Sequence, residues 1–176
     1  MVINGQQSQS TQYCDVISPA TGEAFAQYQQ GNVEDLNQAV ASAKSAFKGW
    51  SQTSSAERKA KMLALAGALE VNMPELMALV TQETGKPMGG LNNVGSGMEV
   101  GGSIAWTQMT AELELAIDVV QDNAEARIEV HRKPLGVVGS ITPWNWPLMI
   151  AIWHIIPALS TGNTVVIKPS ELTPLS

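Results

Sequence analysis

An α/β chain is predicted, with helices through its first half and a parallel strand–helix–strand unit near its C-terminal end. Three features carry that reading. Apolar residues recur three and four apart through residues 36–80, the period of helices with one buried face. Two short apolar runs, residues 137–142 and 164–167, look like strands buried on both faces. Between them lies an apolar stretch, residues 146–159, long enough for the crossover helix that parallel strands need.

The elements follow in chain order. Residues 1–12 are polar and rich in Gln and Ser, which predicts a flexible arm. Residues 13–17 form a short strand, ended by the turn Ser18-Pro19-Ala20-Thr21-Gly22, and residues 23–29 return as its hairpin partner. Asn32 caps a first helix, with Glu34 and Asp35 where the helix dipole favours acid and Leu36, Val40, Ala43, Phe47 and Trp50 as its apolar face. Ser54 and Glu57 form a capping box for a second helix, which buries Met62, Ala66 and Leu69. Pro74 opens a third, carrying Leu76, Met77, Leu79 and Val80, with Gly85 as its C′ residue and Pro87 as a stop. Glycines crowd residues 89–102. Yet Leu91, Val94, Met98, Ala105 and Met109 keep a helical period, so one helix is expected through residues 88–111, its glycines allowing close backbone packing. Residues 127–131 alternate about Ile128 and Val130 as a half-exposed strand. The βαβ unit comes next, with a right-handed crossover expected. Thr173 and Pro174 supply the N-cap and first position of a further helix. Such a unit is half of a nucleotide-binding sheet, a partial Rossmann-like fold.

Composition narrows the function. The chain has 176 residues, 44% hydrophobic and only 15% charged, against about 25% charged in ordinary domains. So little charge fits a piece of a larger assembly better than a lone domain. A net charge of −6 with no Lys/Arg run argues against a nucleic-acid partner. The single cysteine, Cys14, excludes an internal disulfide. The N-terminal residues lack the basic and apolar regions of a signal peptide, and the longest apolar stretch, residues 147–159, is interrupted by His154 and too short to span a bilayer. The expectation is a cytoplasmic protein with no membrane partner and no metal site.

The most informative segment is Gly136-Val137-Val138-Gly139-Ser140-Ile141-Thr142-Pro143-Trp144-Asn145-Trp146-Pro147. It resembles a signature of the NAD(P)-dependent aldehyde dehydrogenase superfamily. The likeness continues through Trp153, Pro157-Ala158-Leu159, Gly162-Asn163-Thr164-Val165-Val166, Lys168-Pro169-Ser170-Glu171 and Thr173-Pro174. Upstream, Ser18-Pro19-Ala20-Thr21-Gly22 and Glu83-Thr84-Gly85-Lys86-Pro87 fit as well. The resemblance implies that residues 1–176 are an incomplete N-terminal part of a cofactor-binding domain, with about 120–133 as a strand of a β oligomerisation element. It implies oxidation of an aldehyde to an acid through a cysteine thiohemiacetal, with hydride passing to NAD, and a homo-oligomer for the complete protein.

Site residues carried over by position follow the same resemblance. Asn145 matches the asparagine whose side-chain amide donates to the oxyanion. Read without that context, Asn145 is simply an N-cap for the next helix. Ile141, Thr142, Pro143, Trp144, Lys168, Ser170 and Glu171 match cofactor contacts, with Lys168 and Glu171 at the adenosine ribose. Glu171 favours NAD over NADP, since its charge would meet a 2′-phosphate, although Lys168 could pair with one. Trp146, Ile150 and Trp153 recur on one helical face and match an aldehyde tunnel. A stripe of this kind is also ordinary core, and for Ile150 the two readings stand level. His154 stands where many family members have Lys and receives no role. Gly95-Ser96-Gly97 lacks the preceding strand of a dinucleotide loop and is rejected as one. Cys14 has no nearby base or helix N-terminus to activate it.

The family's glycine-rich pyrophosphate turn, general-base glutamate and nucleophilic cysteine have no match within residues 1–176. Two expectations stand side by side. One is a fragment of an active aldehyde dehydrogenase, inactive alone. The other is a non-catalytic module with a partial nucleotide site or an oligomerisation surface. The aldehyde itself cannot be named from this sequence.

Overall fold

The computed structural model describes residues 1–8 and 10–176. Eight strands and five α-helices follow one another along the described residues, and every sheet has two strands.

The expected N-terminal arm is a hairpin instead, β1 (Val2–Ile3) against β2 (Gln6–Gln7). Its turn is Asn4-Gly5, both at positive φ (53° and 73°), the pairing that two-residue hairpins favour. The N-terminal ammonium donates to Gln29 Oε1 at 2.6 Å, and Gln29 Nε2 donates to the Ser8 carbonyl at 3.0 Å. Gln9, within the expected arm, lies outside the described residues. β3 (Tyr13–Ile17) and β4 (Ala24–Gln29) pair antiparallel as read, with Gly22 at φ 75° in their turn.

The capping box expected at Ser54 and Glu57 forms, and the Asn32 cap is also a capping box, closed by Asp35. Asn32 and Asp35 exchange hydrogen bonds at the start of α1 (Val33–Trp50), and Ser54 and Glu57 do so at α2 (Ser55–Val71). α3 (Met73–Thr84) has Pro74 in its first turn and ends at Gly85, left-handed at φ 74°. The apolar face of α1 is only half covered: Phe47 and Trp50 are half-buried, whereas Leu36 and Val40 are exposed.

The helix expected through residues 88–111 is shorter and faces the other way. Gly90, Asn92 and Asn93 take positive φ around a single 3-10 turn, Leu91–Asn93, so the backbone there cannot be α-helical. α4 begins at Ser96 and runs to Ala111. Leu91, Val94, Met98, Ala105 and Met109 are all exposed. The buried face is Glu99, Val100, Ser103, Ile104, Thr107 and Ala111, so much of it is small and polar. Ser103 and Thr107 donate back to the carbonyls of Glu99 and Ser103, which lets hydroxyls go inside at little cost.

The strand read at residues 127–131 gains a partner. β5 (Asp118–Asp122) pairs antiparallel with β6 (Arg127–Val130), and Asn123 Oδ1 holds the turn through the amides of Glu125 and Ala126. The βαβ unit is present as read: β7 (Val137–Ile141), α5 (Pro147–Ser160) and β8 (Thr164–Lys168), with β7 and β8 parallel. No helix opens at Thr173-Pro174 within the described residues. The amides of Leu175 and Ser176 donate to the two carboxylate oxygens of Glu83 at 2.6 and 2.9 Å.

The main core sits among the helices. Met62, Val80, Val100, Ile104, Ala111, Leu148, Ile152 and Ile156 form one buried cluster from α2, α3, α4 and α5. α1 and α5 both lie against β7 and β8. α5 has no charged residue in its first or last turn and borrows its end groups. At its C-terminal end, Trp50 Nε1 donates to the Leu159 carbonyl (3.2 Å) and Arg58 Nε to the Ser160 carbonyl (2.9 Å). These satisfy orphan carbonyls and set a cation at the negative end of the dipole. Asn163 organises the entry to β7: its Oδ1 accepts the amides of Leu135 and Gly136 at 2.6 and 2.9 Å.

Candidate active site

β7 and β8 end together. Ile141 lies opposite Lys168 in the parallel register, and the Thr142 amide donates to the Lys168 carbonyl at 3.1 Å. The carboxyl ends of both strands therefore feed two neighbouring loops. This brings Ile141, Thr142, Pro143 and Trp144 to one edge with Lys168, Ser170 and Glu171. In open α/β sheets, ligands gather at this edge.

Within that group the side chains divide by burial. Thr142 and Ser170 are buried, and Ser170 Oγ accepts the Leu172 amide at 3.2 Å, shaping the turn. Ile141, Pro143, Trp144, Lys168 and Glu171 are exposed. Lys168 Nζ lies 3.4 Å from Glu171 Oε2. A hydrogen bond from its own backbone amide, then Lys168, hold the Glu171 carboxyl below the usual carboxylate range. Trp144 and Glu171 open onto a cleft of about 270 Å³, walled also by Ile17, Pro19, Glu83 and Thr173. An exposed carboxylate with spare lone pairs beside an ammonium suits the hydroxyls of a ribose. On that chemistry the strand-end residues fit the adenosine end of a dinucleotide.

The loop from β7 to α5 carries Asn145. Its side chain does not cap the helix: Trp146 is the N-cap residue, and no side chain caps from there. Asn145 is exposed, and its side-chain amide enters no hydrogen bond among the described residues. Its backbone carbonyl is held, accepting from Lys86 Nζ at 2.7 Å. The same ammonium donates to Glu99 Oε2 at 2.5 Å and lies 3.8 Å from the centre of the Trp146 ring. Glu99 is fully buried, and its other oxygen accepts the amides of Leu148 and Met149 at 3.0 and 3.3 Å. A carboxylate thus occupies the positive end of the α5 dipole.

Trp146 and Ile150 are half-buried and Trp153 is exposed, so the stripe is not sealed core. Trp153 meets Trp106 of α4, ring centres 5.6 Å apart at 52°. His154 Nδ1 lies 2.8 Å from Ser140 Oγ. Gly95 and Gly97 start α4 against the carbonyls of Pro87 and Met88, with no strand before them. Cys14 lies in β3, its Sγ 3.5 Å from Gln30 Oε1.

Sequence reasoning gave no role to Lys86, Glu99 or Trp106. Lys86 had one visible signal, a cation fixed between Gly85 and Pro87 in a chain poor in charge. Glu99 and Trp106 had none, since their partners lie far away in sequence. Among the described residues no group of three or more His, Cys, Asp or Glu side chains could hold a metal ion. No single helix there is long and apolar enough to cross a membrane.

Residues 6–176 match the model of the aldehyde dehydrogenase family. The phenylacetaldehyde dehydrogenase of Pseudomonas fluorescens is 39% identical over 189 residues, spanning 100% of this chain and 37% of that protein. The malonate-semialdehyde dehydrogenase of Bacillus velezensis is 37% identical, over 98% of this chain and 36% of its own length. Among solved structures, an indole-3-acetaldehyde dehydrogenase of P. syringae in complex with NAD+ and IAA superposes with a TM-score of 0.90 at 39% identity, covering 98% of this chain and 35% of that one. The betaine aldehyde dehydrogenase of Staphylococcus aureus, in complex with NAD+, does so with a TM-score of 0.90 at 32% identity, with the same coverage. The chain therefore spans a little over a third of the length of the relatives it matches, and it belongs to the aldehyde dehydrogenase family.

Proposed function

We propose that residues 1–176 form the N-terminal part of an NAD-dependent aldehyde dehydrogenase that oxidises an aldehyde to a carboxylic acid. The observation that carries this is the Asn145 loop. An uncommitted side-chain amide stands at the head of α5, on a backbone carbonyl held by Lys86, beside the ends of two parallel strands. Asn145 is read as the donor to the oxyanion that develops when a nucleophile adds to the aldehyde carbon. NAD, when bound, accepts the hydride. Ile141, Thr142, Pro143, Trp144 and Ser170 form the strand-end cradle for it, with Lys168 and Glu171 at the ribose. The Glu171 carboxylate disfavours a 2′-phosphate and so favours NAD over NADP.

Trp146, Ile150 and Trp153 are read as one wall of the aldehyde passage, with Trp106 backing Trp153. That wall presents two indoles and an isoleucine, which favours apolar aromatic aldehydes. Relatives named for phenylacetaldehyde and indole-3-acetaldehyde fit that class, whereas another is named for malonate semialdehyde, an anionic aldehyde. The β5–β6 hairpin, with Val119, Val120, Ile128 and Val130 exposed, is read as part of an oligomerisation element. An acidic chain with one free thiol suits the cytoplasm.

The test is turnover of the full-length protein carrying this segment, with NAD and a panel spanning phenylacetaldehyde, betaine aldehyde and malonate semialdehyde, followed by NADH absorbance. Asn145→Ala is expected to lower kcat by about 10²–10³-fold, the usual effect of losing one oxyanion donor, with NAD affinity unchanged. Lost NAD binding at unchanged kcat would overturn the assignment.

A further inference from the structure

Lys86 follows Gly85, the left-handed end of α3, and precedes Pro87, so its backbone is constrained on both sides. The loop after it is bonded to the start of α4: the amides of Ser96 and Gly97 donate to the carbonyls of Pro87 and Met88 at 3.0 Å each. A Cβ at Gly95 would sit 2.2 Å from the Pro87 carbonyl oxygen, so only glycine permits this approach. Loop 85–95 and the first turn of α4 thus act as one support, carrying Lys86 and Glu99.

That support converges on residues 145–149. The Lys86 ammonium meets three acceptors, the Glu99 carboxylate, the Asn145 carbonyl and the face of Trp146. Glu99 turns its second oxygen to the amides of Leu148 and Met149. The Asn145 side chain itself is free, so its direction depends on how its backbone is held. Resting on the reading of Asn145 as the oxyanion donor, the geometry points to Lys86 and Glu99 as positioning residues that aim that amide. A donor helps only if it is aimed before charge develops, and misplacement by about 1 Å can cost 10²-fold. Lys86 does not meet the reacting atoms; it acts through the Asn145 carbonyl.

The test is a double-mutant cycle in the full-length protein: Lys86→Met, Asn145→Ala and both together, each read for kcat, KM and NAD affinity. Lys86→Met is expected to lower kcat by about 10- to 100-fold with NAD affinity within about twofold of wild type. In the Asn145→Ala background it should change kcat by less than about twofold, because both changes remove the same donor. Lys86→Arg, which keeps a cation over Trp146, should recover most of the rate. If Lys86→Met does not fold, Glu99→Gln serves in the same cycle, since it keeps an acceptor for Leu148 and Met149 while uncoupling Lys86. Wild-type kcat in Lys86→Met, or an equal loss in both backgrounds, would overturn the inference, the second result marking a general structural effect. Wild-type kcat in Asn145→Ala would overturn the oxyanion reading itself, and this inference with it.

Discussion

Removing the Glu99 carboxylate should loosen the head of α5 more than any other single change there. Glu99→Ala strips three partners at once: the amides of Leu148 and Met149 and the Lys86 ammonium. Each buried amide left without an acceptor costs about 1–3 kcal/mol. Breaking a buried ion pair from one side costs about 3–5 kcal/mol. These do not add, because Lys86 keeps the Asn145 carbonyl and the Trp146 face, and its side chain is 16% exposed and can reach water. The expected loss is about 3–5 kcal/mol overall, with about 1–2 kcal/mol for Glu99→Gln, which keeps an acceptor for the amides. Hydrogen exchange reads the effect where it occurs. A loss of about 3 kcal/mol is roughly 10²-fold faster exchange at Leu148 and Met149. A urea midpoint gives the global counterpart. Exchange at those two amides within about threefold of wild type would refute the capping role of Glu99. Equal damage from Ala and Gln would show that the negative charge, which both remove, is what Glu99 supplies, rather than its volume or a neutral acceptor.

Other outcomes follow from the same structure. Burial pushes the Glu83 carboxyl up, against the pull of the Ser176 and Leu175 hydrogen bonds. Its contribution to stability is therefore full below the unfolded carboxylate value and is lost as pH rises through the folded one. Glu83→Gln should remove that dependence, and thermal melts at several pH values showing the same slope in both proteins would count against it. Asn163→Ala orphans the amides of Leu135 and Gly136 and should cost about 2–4 kcal/mol by denaturant unfolding, with Asn163→Asp losing clearly less. Residues 1–176 expressed alone should reduce no NAD with any aldehyde, because Cys14, the sole thiol, sits in an N-terminal hairpin strand. Turnover that survives Cys14→Ala would refute this.

What was legible in the sequence was local. Asn32, Ser54 with Glu57, Pro74 and Gly85 each act within a few residues, and each marks a helix boundary. The strand–helix–strand unit was legible because its strands are apolar and its turn residues stand out, and that alone gathers Ile141 to Trp144 with Lys168 to Glu171. Asn4-Gly5 was an equally local hairpin signal, hidden by the polar residues around it. Residues 88–111 misled for a physical reason. The apolar stripe there faces outward, while the buried face of α4 uses Ser103 and Thr107, bonded to its own backbone, and Glu99, bonded to Lys86. Hydrophobic period cannot find a face whose polar groups are paired. Nor can it find partners such as Glu99 and Leu148, which meet only after folding.

α5 shows why the N-terminal helices belong to the site. Its sequence is almost wholly apolar, with no acid in its first turn and no base in its last. Left alone, both its ends would carry orphan backbone groups in a poorly hydrated setting. The missing groups arrive from elsewhere: Glu99 from α4 at the N-terminal end, Trp50 from α1 and Arg58 from α2 at the other. An apolar helix can therefore present Trp146, Ile150 and Trp153 along its length while its dipole is met at both ends. The same contacts fix where the loop before it leaves β7, and so where Asn145 stands. A substitution in α2 or α4 that never approaches the strand ends can thus still move Asn145, through the ends of α5 rather than through the sheet.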